Sequence, residues 1–114
     1  MALIYKILSR DLWAKALAEG VLHGAAIDLT DGYIHLSTAE QAEETVRRHF
    51  AGQDDLVLVA FDPSDFSGTL KWEPSRGGAL FPHVYGSINP AQARWVKDVV
   101  LENGGHVFPQ GWNS

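Results

Sequence analysis

The prediction of the fold starts from one stretch of eight residues, Asp31-Gly32-Tyr33-Ile34-His35-Leu36-Ser37-Thr38. Its Asp-Gly pair is typical of a turn, and the residues from Tyr33 to Leu36 are typical of a short strand. Because side chains alternate along a strand, His35 shares one face with Tyr33 and Ser37, whereas its apolar neighbours point to the other face. The stretch therefore predicts a titratable side chain and two hydroxyls beside an apolar core.

A helix is predicted to follow this strand, from Thr38 to about His49. Ser37-Thr38-Ala39-Glu40 matches a capping box, in which the serine caps the first turn and Glu40 reaches back to the cap. Because the N-terminus of a helix favours anions, Ser37 and Thr38 are candidate contacts for a ribose or phosphate group.

The segment upstream predicts one strand and one helix. Residues 3–8 are apolar apart from Lys6 and indicate a strand. Residues 9–20 have apolar side chains at helical spacing, between a serine suited to the N-cap and a glycine suited to the C-terminal end. We expect this helix to bury Trp13 and Leu17.

The rest of the chain is predicted to be rich in strands. Residues 21–30 have no clear period and are interpreted as a connection with a brief extended piece at 26–29. The continuous apolar run at 56–61 is typical of a central strand buried on both faces. Further strands are expected at 70–73, at 79–86 as a bent or edge strand because of its internal proline, and at 95–101.

This order of elements predicts an α+β protein, with helices early and strands late. A doubly wound sheet is not expected, because strands and helices do not alternate throughout and no glycine-rich phosphate loop follows a strand. The 114 residues suffice for one hydrophobic core, so we expect a single domain over residues 1–114.

Composition narrows the classes of function. Hydrophobic residues make up 46% of the chain and charged residues 20%, as in soluble globular proteins. The net charge is −5 and the basic residues are dispersed, so binding of nucleic acid is not expected. The absence of cysteine excludes thiol catalysis and thiolate metal sites. Neither a signal peptide nor a membrane span is recognisable, so we expect a cytoplasmic protein without a membrane partner.

A second stretch combines polar and aromatic residues in an apolar setting, Phe81-Pro82-His83-Val84-Tyr85-Gly86. His83 and Tyr85 share one face of its strand, and Glu73 follows a tryptophan shortly before it. A carboxylate in such a setting is expected to have either a raised pKa or a fixed partner. We predict that the two stretches face each other across one cleft. With His35, Glu73, His83 and Tyr85, this cleft has the groups for acid–base chemistry or for recognition of ribose and phosphate.

Each of these residues also has a simpler interpretation. His35 in isolation fits a structural histidine that is hydrogen-bonded to the backbone, and Glu73 fits an exposed residue at a strand end. Two histidines and a carboxylate can bind a metal ion, but the chain has no H-x-H or H-x-x-x-H pair, so no metal is expected. A serine nucleophile has no elbow motif here.

Several segments together resemble a bacterial family, the domain of unknown function 952. The matching segments are Trp13 to Gly20, Asp31 to Thr38, Gln41, Leu56 to Asp62, Trp72-Glu73 and Phe81 to Gly86. The resemblance covers nearly the whole chain, and its D-G-[FY]-I-H-L-S and F-P-H-[IV]-Y-G motifs are fairly specific. It implies an ADP-ribosylation-like fold, with split small mixed sheets, two N-terminal helices packed on them, and NAD held in a cleft.

Within that fold group the chain looks most like the NAD-dependent RNA 2′-phosphotransferases. Their helix ending in E-G-L and their strand reading H-[IV]-H-L are matched here by Glu19-Gly20-Val21 and Tyr33-Ile34-His35-Leu36. Those enzymes begin with an aromatic-His-Gly-Thr strand whose histidine holds the NAD ribose, whereas this chain has Tyr5-Lys6-Ile7-Leu8.

The resemblance implies a cytoplasmic enzyme that acts on NAD or another nucleotide-type ligand. Its catalytic residues would be His35, Glu73 and His83. Its ligand contacts would come from aromatic and hydroxyl side chains of the two stretches: Tyr33, Ser37, Thr38, Phe81 and Tyr85. The lysine in place of the ribose-binding histidine leaves open a ligand-binding or interaction module that performs no chemistry. Metal-dependent hydrolysis is a third alternative.

Overall fold

The computed structural model describes residues 2–113, whose helices and strands form the α+β arrangement expected from the sequence. In chain order the elements are β1 (Ile4–Ser9), α1 (Arg10–Glu19), α2 (Ala26–Asp31), β2 (Ile34–His35), α3 (Ala39–His49), β3 (Leu56–Phe61), β4 (Leu70–Pro74), β5 (Leu80–Val84), β6 (Trp95–Glu102) and β7 (Gly105–Val107). Short 3₁₀ turns occupy Pro63–Phe66, Arg76–Gly78 and Pro90–Gln92.

The strands form two sheets. Four strands make the larger sheet, in the order β1-β3-β6-β7, and three make the smaller sheet, in the order β2-β5-β4. Every described pairing is antiparallel, so the prediction of mixed sheets is wrong. A parallel pair needs a crossover that returns the chain in the same direction, whereas the long connection from β1 to its neighbour β3 brings the chain back in the opposite direction.

Two neighbouring strands of the larger sheet, β1 and β3, are buried on both faces. All six residues of β3 are buried, as its continuous apolar run predicts. Alternate side chains of β3 enter two separate hydrophobic cores. One core contains apolar residues of the smaller sheet and of α1, and the other contains apolar residues of α3. One face of the smaller sheet therefore packs in a hydrophobic core, and its other face is available for a ligand-binding site.

Helix α1 forms as its cap predicts. Ser9 Oγ accepts a hydrogen bond from the Leu12 N–H at 3.1 Å. Trp13 and Ala16 are buried, but Leu17 is 57% exposed, so its predicted burial is wrong. The buried stripe of this helix is narrow and ends at Ala16, which leaves Leu17 on its flank.

Helix α2 replaces the extended piece that was expected at 26–29, so that prediction is wrong and the described residues contain three α-helices rather than two. Asp28 Oδ2 accepts a hydrogen bond from the Ala25 N–H at 2.8 Å and fixes the first turn. Asp28 is also the one buried residue in α2. A buried carboxylate anchors this helix instead of an apolar stripe, and hydrophobic periodicity cannot show such an anchor.

Helix α3 begins one residue later than predicted. Thr38 rather than Ser37 is the N-cap, and its N–H donates to Gln41 Oε1 at 3.0 Å. Ser37 is instead held in line with β1, because its backbone exchanges two hydrogen bonds of 2.8 Å with Tyr5. Its hydroxyl lies 3.0 Å from the hydroxyl of Thr45. The polar groups predicted to contact a phosphate are therefore already hydrogen-bonded within the chain.

Strand β5 lies at the centre of the smaller sheet, so the edge position that was one of its two predicted alternatives is wrong. Proline lacks the N–H that a central strand normally donates. The Pro82 carbonyl accepts a hydrogen bond from the Leu36 N–H at 3.0 Å, on the side of β2. Because β2 ends at His35, the missing donor falls where the neighbouring strand is already leaving the sheet.

Candidate ligand-binding site

The two stretches singled out in the sequence lie side by side. β2 and β5 are antiparallel neighbours, and His35 is directly opposite His83. The prediction that the stretches face each other across a cleft is therefore wrong. They form one wall, because cross-strand partners project from the same face of a sheet. The ring centroids of His35 and His83 are 5.2 Å apart.

Aromatic rings surround this histidine pair. The Tyr33 ring stacks on His83, with centroids 4.3 Å apart and 28° between the ring planes. It also lies 4.6 Å from the His35 ring and 5.0 Å from the Tyr85 ring. His83 is buried and His35 is half-buried. Contacts on several sides thus restrict the orientation of both imidazoles.

Glu73 is a fixed partner of both His83 and Tyr85. Glu73 Oε1 lies 2.8 Å from His83 Nδ1 and accepts a hydrogen bond of 2.8 Å from the Tyr85 hydroxyl. The bond from His83 and then that from Tyr85 hold the pKa of Glu73 below its ordinary value, and the bond to Glu73 raises the pKa of Tyr85 to about 12. An ionised carboxylate only accepts, so His83 Nδ1 donates to Glu73.

The expectation for Glu73 is thereby resolved. Of the two alternatives derived from the sequence, the fixed partner is present and the raised pKa is wrong. The sequence places Glu73 on β4, and the pairing of β4 with β5 brings it next to His83. Because the hydrogen bonds favour the charged form of the carboxylate, Glu73 is suited to orient His83 rather than to supply a proton itself.

His35 is held by two carboxylates of α2. Its Nδ1 lies 2.6 Å from Asp28 Oδ1, and its Nε2 lies 3.0 Å from Asp31 Oδ2. Its backbone N–H donates to the same Asp28 oxygen at 3.0 Å. His35 is therefore tightly positioned, with both ring nitrogens beside carboxylates.

Lys6 of β1 completes the surroundings of Asp28. Lys6 Nζ lies 2.8 Å from Asp28 Oδ2 and donates to the His35 carbonyl at 2.9 Å. The side chains of Lys6 and Asp28 are 6% and 0% exposed. Burial by itself raises the pKa of Asp28, but hydrogen bonds from His35 and the charge of Lys6 outweigh it and hold this pKa well below the ordinary value. Burial lowers the pKa of Lys6, against the opposing effect of Asp28.

Sequence reasoning missed the two aspartates and the part played by Lys6. The available signal was Lys6 itself, a charged residue on the same face of β1 as the apolar Ile4 and Leu8. A lysine on a buried strand face requires an acidic partner. That partner, Asp28, lies in the segment interpreted as a connection, so the need for a partner could be inferred but its identity could not.

A cavity of about 360 Å³ lies beside the histidine wall. Four of the predicted site residues line it together with Lys6, namely His35, Ser37, Phe81 and His83. Its other lining is largely apolar and includes Tyr5, Ile7, Ala26, Ile27 and Phe50. The cavity thus combines an apolar body with a few polar groups, as small-molecule sites do.

The other predicted site residues lie outside this cavity. Tyr33 lines a second cavity of about 340 Å³, and Thr38 lines a third of about 500 Å³. Glu73 and Tyr85 are connected to the first cavity through His83. The third cavity is the largest of these but contains neither histidine of the wall, so the chemistry favours the first.

Two other kinds of feature are absent from residues 2–113. No group of three or more His, Asp or Glu side chains in this part of the chain is arranged to hold a metal ion. No helix there is long and apolar enough to cross a membrane.

Replacement of Gly24 by alanine is expected to destabilise the protein through Asp28. Gly24 has φ of 105°, and an added Cβ would lie 2.6 Å from Asp28 Cβ and 2.7 Å from Asp28 Oδ2. Gly32→Ala is the matched control, because its φ is 85° and nothing lies within 4 Å. The left-handed backbone alone costs about 1–2 kcal/mol at either glycine. We expect urea unfolding to show a clearly greater loss for Gly24→Ala, and equal losses would contradict the close approach.

Comparison with known proteins identifies similar sequences and structures. A family model described as "Protein of unknown function (DUF952)" matches residues 7–96. The crystal structure of protein CC0527 from Caulobacter crescentus is 48% identical in sequence, with a TM-score of 0.88 over 91% of each chain. A crystal structure of a double mutant of CC0527 gives the same values. The solution NMR structure of CC0527 has a TM-score of 0.81 over 91% of this chain and 90% of that one. No protein with a curated description matches.

Proposed function

The chain belongs to the DUF952 family of proteins of unknown function, and from that premise we propose an ADP-ribosyltransferase-like activity on a nucleotide-type small molecule, with NAD as the first candidate. The ligand would bind in the cavity beside His35 and His83. The division of the strands into sheets of four and three supports the corresponding ADP-ribosylation-like fold.

The observation that carries this proposal is the Glu73–His83 pair at the cavity. A carboxylate bonded to one imidazole nitrogen fixes the tautomer and leaves the other nitrogen able to take a proton. In the proposed reaction His83 Nε2 accepts the proton of water or of another hydroxyl acceptor. The acceptor oxygen forms a bond to the ribose carbon C1′, and nicotinamide leaves with the electrons of the broken glycosidic bond.

The cavity supports a ligand of this class by its size and lining. About 360 Å³ lies in the lower part of the range for small-molecule sites, roughly 300–1,000 Å³, so the cavity suits one end of a dinucleotide rather than the whole molecule. Phe81 offers an apolar surface. Ser37 and His35 also line the cavity, and their side chains would bind a ligand in exchange for their bonds to Thr45 and to the α2 carboxylates. Tyr33 stacks on His83 and restricts the orientation of its ring.

The test of this proposal is ligand-dependent thermal stability. NAD and ADP-ribose are expected to raise the Tm of the wild type, since a ligand at 100 times its Kd adds about 2.7 kcal/mol of stability. His35→Ala should abolish the shift, because it removes a cavity side chain. His106→Ala is the matched control, because His106 bonds the Gln53 carbonyl outside the cavity and should keep the shift. No shift in the wild type at millimolar ligand would count against the proposal.

A second candidate is a ligand-binding module that performs no chemistry. It is favoured by Lys6, which stands where the resemblance places a ribose-binding histidine and which is already paired with Asp28. Mass spectrometry for released nicotinamide separates the two candidates. Binding without release supports the module, and release that Glu73→Gln slows supports the enzyme.

A further inference from the structure

The carboxylate of Asp28 occupies a cradle of donors that belong to other elements. Lys6 Nζ, the His35 N–H and His35 Nδ1 all lie within 3.0 Å of an Asp28 oxygen. Ammonium, amide and imidazole donors around one point are the partners that carboxylate and phosphate groups take in ligand sites. Both Lys6 and His35 also line the 360 Å³ cavity, so this cradle borders the space available to a ligand.

Two carboxylates attach helix α2 to its surroundings, the buried Asp28 and the exposed Asp31, whose Oδ2 lies 3.0 Å from His35 Nε2. Asp28 is the single buried residue of the helix, whereas Ile27 and Leu29 are 56% and 65% exposed. The helix lies between two glycines with left-handed backbone, Gly24 with φ of 105° and Gly32 with φ of 85°. A six-residue helix without buried apolar side chains has little hydrophobic stabilisation of its own.

We infer that the cradle formed by Lys6 and His35 is an anion-binding site, that Asp28 occupies it in the closed protein, and that α2 is its gate. A carboxylate or phosphate group of a ligand takes the place of the Asp28 carboxylate, and α2, which then lacks its anchor, unwinds between Gly24 and Gly32. The inference deepens the proposed function, on which its ligand-dependent part rests. The cradle itself can be tested without a nucleotide.

The first experiment tests the cradle by restoring the missing carboxylate. Asp28→Ala leaves the donors of Lys6 and His35 without their anion and creates space beside them. Sodium acetate, compared with sodium chloride at equal ionic strength, is expected to raise the Tm of Asp28→Ala. It should have no such effect on Asp98→Ala, the control, because the Asp98 side chain is 62% exposed and pairs with Arg10 at the surface. Equal acetate effects on both variants would overturn the anion site.

The second experiment tests the gate in the wild type, and it remains available if Asp28→Ala does not fold. Four backbone amides depend on closed α2: Ala25 and His35 donate to Asp28 oxygens, Leu29 to the Ala25 carbonyl, and Gly32 to the Asp28 carbonyl. Hydrogen exchange is expected to show one common opening free energy for these amides, smaller than that of the β3 amides. Independent values for the four, or values equal to those of β3, would overturn the gate.

ADP-ribose and nicotinamide complete this experiment. Because a ligand shifts a conformational equilibrium toward the state that it binds better, saturating ADP-ribose should accelerate exchange of the Ala25, Leu29 and Gly32 amides, and nicotinamide, which lacks phosphate, should not. The His35 amide should stay protected, because its N–H then donates to the ligand anion. ADP-ribose that raises the Tm but slows these amides would overturn the gate and leave the proposed function standing. ADP-ribose that changes neither quantity would count against the proposed function, whereas acetate rescue of Asp28→Ala would still support the cradle.

Discussion

Replacement of Lys6 by methionine is expected to lower the free energy of unfolding by about 3–5 kcal/mol, because it leaves the charge of Asp28 buried without its ammonium partner. The Asp28 side chain is 0% exposed, so water cannot replace the lost partner without disturbing the structure. Methionine has a similar length and no charge, so the change tests the ion pair rather than the packing. Urea unfolding of both proteins measures the difference.

Two further variants separate the ion pair from its surroundings. Lys15→Met is the matched control, because Lys15 is exposed on α1 and its replacement should change stability by about 0.5 kcal/mol or less. Lys6→Met combined with Asp28→Asn removes both charges, and its loss should be smaller than the sum of the two single losses. Additive losses would mean that Lys6 and Asp28 do not stabilise each other.

The loss of stability caused by Lys6→Met should depend on pH, and the titration of Asp28 determines the direction of this dependence. Its pKa lies well below the ordinary value in the folded protein, so its stabilising contribution is complete above the unfolded-state pKa of about 4 and is lost as the pH falls below that value. The difference between the wild type and Lys6→Met should therefore shrink in acid. A difference that is constant down to strongly acidic pH would contradict the assignment to Asp28.

Replacement of His83 by glutamine is expected to reduce release of nicotinamide from NAD by about 100-fold to 10,000-fold, the range for loss of a positioned general base. Glutamine can keep a hydrogen bond to Glu73 but cannot accept a proton as an imidazole does. Initial rates by mass spectrometry give this ratio, and the Tm of each variant shows whether the buried site has kept its structure. Unchanged release in a folded His83→Gln protein would exclude His83 as the base.

Glu73→Gln tests whether Glu73 acts through His83. Glutamine leaves only a neutral amide oxygen to accept from His83 Nδ1, so the rate should fall less than in His83→Gln and its pH profile should move. Glu102→Gln in β6 is the matched control, because Glu102 is exposed and lies outside the cavity. A shift in the pH profile is the readout that a merely structural role of Glu73 would not produce.

Several elements could be predicted from the sequence because residues close together in the chain specify them. The apolar run Leu56–Phe61 could only be a buried strand, and the Ser9 cap marked the start of α1. The period of two along a strand then placed His35 on the same side as Tyr33, and the two rings are in contact. Helix α2 could not be predicted in this way, because six residues are too few to show a hydrophobic period and the buried residue that anchors the helix is charged.

The sequence alone therefore determined an α+β protein with one polar strand face at His35 and another at His83. Only the tertiary structure decided that these histidines are direct neighbours in one sheet, and that Lys6 and Asp28 form a buried pair next to them. The physical reason is that strand pairing and ion pairing join residues far apart in the chain. Lys6 and His35 are 29 positions apart, and no local period or cap relates them. Local patterns specify which face of an element is polar, but only the folded chain specifies which polar faces meet.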